Sequence, residues 1–199
     1  SIYSDGGQLK LWLDLDHSAN KESWNRRIIQ SQIRVVSPTV VEGYRVITGW
    51  AKLRKIYFHL EFSQPILSSQ LHDGNRRYEN TPVINGTELC GLFCFDKKWN
   101  NELICKVALS SVSIENARLN LNREQEGKNF EQILAEAHAK WNDDLSRITV
   151  EGGTDAQKTV FYTALYHLLI HPNILQDANG EYPAVSYTHL RAHETRGNL

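Results

Sequence analysis

The chain has 199 residues, 41% hydrophobic and 23% charged, so it is long and apolar enough to bury a core and is not disordered by composition. Its 22 basic and 23 acidic residues leave a net charge of -1, which lacks the basic footprint of a nucleic-acid-binding protein. No apolar run approaches the roughly 20 residues that a membrane-spanning helix needs, so no membrane span is expected.

The first half of the chain carries a period of two. Leu9, Leu11, Leu13 and Leu15 alternate with Lys10, Trp12, Asp14 and Asp16, the pattern of a strand with one buried face. Further strands are predicted over 28–36, 40–50 and 55–63. Residues 68–85, rich in Asn, Gly, Asp and Arg, read as a long loop. Segments 88–95 and 102–112 flank the polar run Asp96-Lys97-Lys98-Trp99-Asn100-Asn101 and are expected to form an antiparallel hairpin. Successive strands without intervening helices argue for an antiparallel sandwich.

After Ser113 the period becomes 3.6. A short helix is predicted over 114–123. Phe130, Ile133, Leu134, Ala137, Trp141, Leu145 and Ile148 then form one apolar stripe along a long helix, which places Trp141 in a core. Glu151-Gly152-Gly153 breaks that helix. Thr154-Asp155-Ala156-Gln157 has the form of a capping box, in which the Thr hydroxyl and the Gln side chain satisfy free helix-start amides. The new helix, with Phe161, Ala164, Leu165 and Leu168 on its apolar side, should stop at His171-Pro172.

Cys90, Cys94 and Cys105 fit neither a disulfide framework nor a zinc site by spacing, and read as small apolar residues in strands. A Cys94–Cys105 bridge across the expected hairpin is the alternative in an oxidising compartment. Asp14 and Asp16, with His17, can be read as an acid pair or calcium ligands, but a solvated strand face is favoured. Asp177, Asn179 and Gly180 begin like a calcium loop yet lack the Glu at its twelfth position, so a turn is favoured. Tyr162, Tyr166 and His167 offer aromatic faces suited to a pyranose ring; on an amphipathic helix the packing role is favoured. Among the tryptophans, Trp24 and Trp99 lie in polar segments and are the least constrained.

His189 and His193, four residues apart with Glu194 adjacent, imitate zinc ligands on one helix face. However, Val185-Ser186-Tyr187-Thr188-His189-Leu190-Arg191-Ala192-His193-Glu194-Thr195 is similar to the translation of a sequencing-library adapter. Residues 185–199 are therefore expected to be a non-native tail, to be set aside before fold reasoning. The complete absence of methionine, even at the first position, adds the expectation that the chain is a piece of a longer one.

Several segments together resemble glycoside hydrolase family 92, bacterial exo-acting α-mannosidases. The first is Gly43-Tyr44-Arg45-Val46-Ile47-Thr48-Gly49-Trp50-Ala51, followed by Tyr57-Phe58-His59-Leu60-Glu61-Phe62-Ser63-Gln64-Pro65. The second is Lys106-Val107-Ala108-Leu109-Ser110-Ser111-Val112-Ser113-Ile114-Glu115-Asn116-Ala117, similar to the family's junction from last strand to first helix. The third is Phe161-Tyr162-Thr163-Ala164-Leu165-Tyr166-His167, with Asp177-Ala178-Asn179-Gly180-Glu181-Tyr182 after it.

The resemblance implies an α+β chain: an antiparallel β-sandwich, part of a supersandwich, then linker helices leading into an (α/α)6 barrel missing from this chain. The expected boundaries are 1–113 for the partial sandwich, 114–153 for the helical linker, 154–184 for the start of the catalytic domain and 185–199 for the tail. It further implies a parent enzyme that hydrolyses terminal α-mannosides of glycans with inversion, a bound calcium ion, and a periplasmic, cell-surface or secreted setting. The acid, the base and the metal carboxylates of the family lie in the barrel. No catalytic, cofactor-binding or metal-ligating residue is therefore assigned, and the piece alone is expected to be inactive. The alternatives are a non-catalytic carbohydrate-binding sandwich and a related glycosidase of other sugar specificity.

Overall fold

In a computed structural model the described residues are 2–5, 8–17, 27–48, 53–97, 102–171, 173–183 and 190–191. They group into two compact units, Ser1–Glu124 with Gln176–Leu199, and Gln125–Leu175. Each is described by itself.

The first unit holds two five-stranded antiparallel sheets. One has the order β1-β2-β9-β6-β7, from β1 (Ile2–Asp5), β2 (Gln8–Asp14), β6 (Ser68–Asp73), β7 (Arg76–Glu79) and β9 (Leu89–Asp96). The other has the order β10-β5-β4-β3-β8, from β3 (Arg27–Ser37), β4 (Val40–Thr48), β5 (Arg54–Phe62), β8 (Val83–Gly86) and β10 (Cys105–Ser110). The alternating leucines of β2 and the residue after it do what their period requires: Leu9, Leu11 and Leu15 join Ile33, Val41, Phe58, Leu60, Leu71, Leu89 and Phe93 in a core drawn from both sheets, with Leu13 partly buried against it. Phe62 of β5 meets Phe95 of β9 edge-on at 4.9 Å, which ties the layers by an aromatic pair. Two register shifts on β3 fall at Ile29 and Val36, the extra residues of bulges, and both side chains are exposed.

Two expectations are corrected here. Residues 68–85 are not a loop: they hold β6, β7 and β8. Their polar side chains belong to outward faces, while Ser69, Leu71 and Ile84 point inward and are buried. Gly74, at φ +56°, supplies the left-handed residue of the tight β6–β7 turn, and Asn80, at φ +46°, closes β7 onto β6 through Ser69. Segments 88–95 and 102–112 do not form a hairpin either. β9 pairs with β2 and β6, whereas β10 pairs with β5 in the other sheet. The polar run between them is a crossover from one layer to the other, and its residues 98–101 lie outside the described set. Cys94 and Cys105 therefore sit in different sheets, and all three cysteines are free.

Helix α1 (Ile114–Gln125) follows β10 in the same unit, and buries Asn116, Ala117, Asn120 and Leu121. The chain returns to this unit at Gln176, and a two-stranded ribbon pairs β11 (Tyr182–Pro183) with β12 (Leu190–Arg191).

The second unit is a pair of helices, α2 (Phe130–Leu145) and α3 (Asp155–Leu169). Both open with a capping box: Asn129 with Gln132 for α2, and Thr154 with Gln157 for α3. Trp141 is not in a core. It is partly exposed, with its ring 4.7 Å from that of Tyr166, and neither helix has a buried residue. The apolar stripe is real as a pattern, yet Phe130 and Leu134 on it are exposed, and Ile148 lies beyond the end of α2.

Candidate functional site

The chemistry-bearing side chains of the first unit gather where α1 meets the outer face of the β10-β5-β4-β3-β8 sheet. Cross-strand register sets Arg34, Glu42 and His59 side by side on β3, β4 and β5. Glu42 is fully buried. Its Oε1 accepts from Arg118 Nη2 at 2.6 Å and Nε at 3.2 Å, and lies 2.8 Å from His59 Nδ1; its Oε2 accepts from Arg34 Nη2 at 2.7 Å. His59 Nε2 lies 3.0 Å from Glu61 Oε1. A ring protonated on both nitrogens donates to both carboxylates, whereas a neutral ring donates to one.

Burial acts to raise the pKa of Glu42, but the hydrogen bonds from Arg118, Arg34 and His59 outweigh it and hold the carboxyl below its ordinary value. A buried carboxylate saturated by charged donors is a fastening for α1, not a base offered to a substrate. Sequence reading passed over this cluster because its members are far apart in the chain. The signal was present as three polar residues, Arg34, Glu42 and His59, on what should be the outer faces of neighbouring strands, in a sheet whose registers can be counted.

A second cluster lies at the end of β10. Asp177 is buried, and its Oδ2 accepts from Ser110 Oγ at 2.6 Å and Asn116 Nδ2 at 2.8 Å, while Oδ1 accepts from Asn120 Nδ2 at 2.8 Å. The segment is a turn, as its sequence predicts: Gly180 N–H donates to the Asp177 carbonyl and Gly180 has φ +86°. It does not fit calcium. Every neighbour of the carboxylate is an O–H or N–H donor, and a cation needs oxygen lone pairs turned toward it. Among the described residues no group of three or more His, Cys, Asp or Glu side chains is placed to hold a metal ion.

Asp14 ends β2. Its Oδ1 accepts from the backbone N–H groups of Asp16 and His17 at 2.8 and 2.9 Å, and from the Cys90 thiol at 3.6 Å, so it caps an exposed turn rather than pairing with Asp16. Trp12 lies on the outer face of its sheet with its ring 6.0 Å from that of His72. Trp24, Trp50, Trp99, His189, His193 and Glu194 lie outside the described residues.

In the second unit an open concavity of about 530 Å3 is lined by Leu145, Asp155, Lys158, Tyr162, Thr163 and Tyr166, among others. Tyr162 donates to the Ile148 carbonyl at 3.3 Å, and the Tyr166 ring meets those of Trp141 and His167 at a tilt. Tyr162 and Tyr166 thus make contacts within the helical unit while also lining the concavity, and Tyr166 is exposed.

The model of the glycosyl hydrolase family 92 N-terminal domain matches residues 2–110, and the model of the family's catalytic domain matches residues 116–196. The chain belongs to glycosyl hydrolase family 92. It is similar to the solved family GH92 α-mannosidase BT3965 from Bacteroides thetaiotaomicron, with a TM-score of 0.85 and 25% identity over 97% of this chain and 26% of that one. The inverting mannosidase BT2199 of the same organism shares the fold at a TM-score of 0.78 and 24% identity, over 93% of this chain and 25% of that one. The family hydrolase ccman5 does so at 0.80 and 20%, over 96% and 27%. The chain thus spans about a quarter of the length of these structures. No curated protein sequence matches it significantly.

Proposed function

We propose that the chain is the N-terminal sandwich and the start of the helical catalytic domain of an exo-α-mannosidase that cleaves terminal α-mannosides of glycans with inversion. The observation that carries this reading is the tandem match, sandwich model then catalytic model in chain order, across nearly the whole sequence.

Inversion needs one carboxyl group to protonate the leaving oxygen and another, roughly 6.5–9.5 Å away, to activate water on the opposite face. Both groups lie on this reading in the parent's helical domain, as the family resemblance implies; Glu42 and Asp177 are committed to hydrogen bonds within the fold and do not compete for the role. On this reading residues 1–113 are sandwich, 114–153 linker and 154–184 the start of that domain, and the piece alone does not turn over. A calcium ion in the parent would hold sugar hydroxyls through its flexible oxygen coordination. The periplasm or cell surface is the setting that a glycan substrate favours.

Assay of the full-length parent on α-mannosides and α-glucosides, with and without a calcium chelator, tests this. Hydrolysis of the mannoside, lost on chelation, is expected. Glucosidase activity in its place would move the parent to another specificity, and no hydrolysis of either would leave a sugar-binding sandwich. The non-native reading of residues 185–199 stands separately. Native codons there would overturn it without touching the enzyme reading.

A further inference from the structure

The segment that closes the first unit is held with unusual completeness. Both side-chain amides of α1 that face it are fully used. Asn120 donates to the Leu109 carbonyl and to Asp177 Oδ1, and its own oxygen accepts from Ala178 N–H at 2.7 Å. Asn116 donates to Asp177 Oδ2 and to Glu181 Oε2, each at 2.8 Å, and its oxygen lies 3.4 Å from Asn179 Nδ2. Ser110 adds its hydroxyl to Asp177 and at the same time accepts from Val112 N–H, so the donor is itself fixed by the strand-to-helix corner. On the other side the turn is closed internally, Asp177 N–H donating to the Glu181 carbonyl at 2.7 Å and Glu181 N–H to Asn179 Oδ1 at 3.1 Å. Receptor and ligand are thus each prefolded, a condition that lowers the ordering cost of association.

We infer that the groove made by the end of β10 and the Asn116/Asn120 face of α1 is a receptor for the Asp177–Glu181 turn, and that this recognition holds without chain continuity. The chain leaves the first unit after Glu124 and returns at Gln176, so the 51 residues Gln125–Leu175 form an excursion pinned at its far end by one buried carboxylate. A break within the excursion leaves the returning turn seated.

The test uses the full chain with a protease site inserted between Gly152 and Gly153, which are exposed and in a left-handed turn. After cleavage the two pieces are expected to co-elute in size exclusion and to separate only on denaturation. Asp177→Asn keeps the side-chain volume but turns an N–H2 toward donors, and should speed separation of the nicked pieces at least tenfold. Ser110→Ala, which removes one hydroxyl and spares the fold, should speed it about threefold. Trp141→Ala, which weakens only α2 against α3, should leave the pieces together. Pieces that part at once, that stay together equally in Asp177→Asn and Ser110→Ala, or that part as fast in Trp141→Ala would each overturn the inference.

Discussion

Glu42 of β4 and His59 of β5 face each other directly across the sheet, with the imidazole Nδ1 2.8 Å from a carboxylate that no solvent reaches. Arg34 and Arg118 complete the ring of donors, and Arg118 comes from α1. The pair therefore belongs to the contact between sheet and helix. Arg34 and Arg118 remain about half exposed, so they can return to water if Glu42 is removed, while His59 cannot. Glu42→Gln should for that reason lower the unfolding free energy by about 2–4 kcal/mol, less than the full cost of stranding a wholly buried ion. Denaturant titration of the two chains checks it; a change below about 0.5 kcal/mol would show the cluster to be ornamental.

Acid should act through the same group. The folded-state pKa of Glu42 lies below its ordinary value of 4.5, so its stabilising contribution is complete above that value and fades as pH falls through the lowered one. The unfolding midpoint is expected to drop as pH falls below about 4.5, and Glu42→Gln should show a shallower drop than the unsubstituted chain. Parallel slopes in the two chains would contradict this assignment.

The thiols should be quiet. Burial, with Asp14 beside it, pushes the Cys90 thiol up to about 12, and burial pushes that of Cys105 up to about 11. At pH 8 the reactive thiolate is then a fraction of about one in a thousand or less at each. Alkylation by iodoacetamide is expected to be slow in the folded chain, and to reach three sites after unfolding without reductant. Recovery of a Cys94–Cys105 linked peptide would contradict the free state of both thiols.

Gly43 opens the first family-like segment, and the structure gives the reason for a glycine there. A Cβ at this position would stand 2.0 Å from the Gln32 carbonyl oxygen and 2.6 Å from the Phe58 ring. The oxygen belongs to the neighbouring strand and cannot step aside without breaking the ladder. Gly43→Ala should destabilise the sandwich by about 2–4 kcal/mol, in the range of overpacked and strained core substitutions, with thermal unfolding as the measurement. A neutral effect would mean that the β3–β4 approach is wider than described.

What could be read from the sequence was what local rules control. The leucine alternation of β2, the three long strands β3 to β5 and the Thr154–Gln157 capping box all depend on residues within one element, and each appears where its pattern puts it. The strands β6 to β8 were hidden because their outward faces carry turn-forming polar residues, so composition pointed one way and the buried Leu71 and Ile84 the other. Assigning β9 and β10 to one hairpin failed because a polar connection of several residues serves equally well to turn within a sheet or to cross between two. Asp177 was legible as a turn through Gly180, but its partners Ser110, Asn116 and Asn120 are far away in sequence, and only the fold brings them to it. The Glu42 cluster was lost for the same reason.

The membership of the family rests on sequence models and fold, and the activity is the step that chemistry must decide. Among the described residues no helix is long and apolar enough to cross a membrane. The decisive measurement is proton NMR of the full-length parent acting on an α-mannoside, read at the anomeric signals in the first minutes. The account predicts that β-mannose appears first and then mutarotates, as direct displacement by water requires. Initial release of α-mannose, or no release at all, would contradict it.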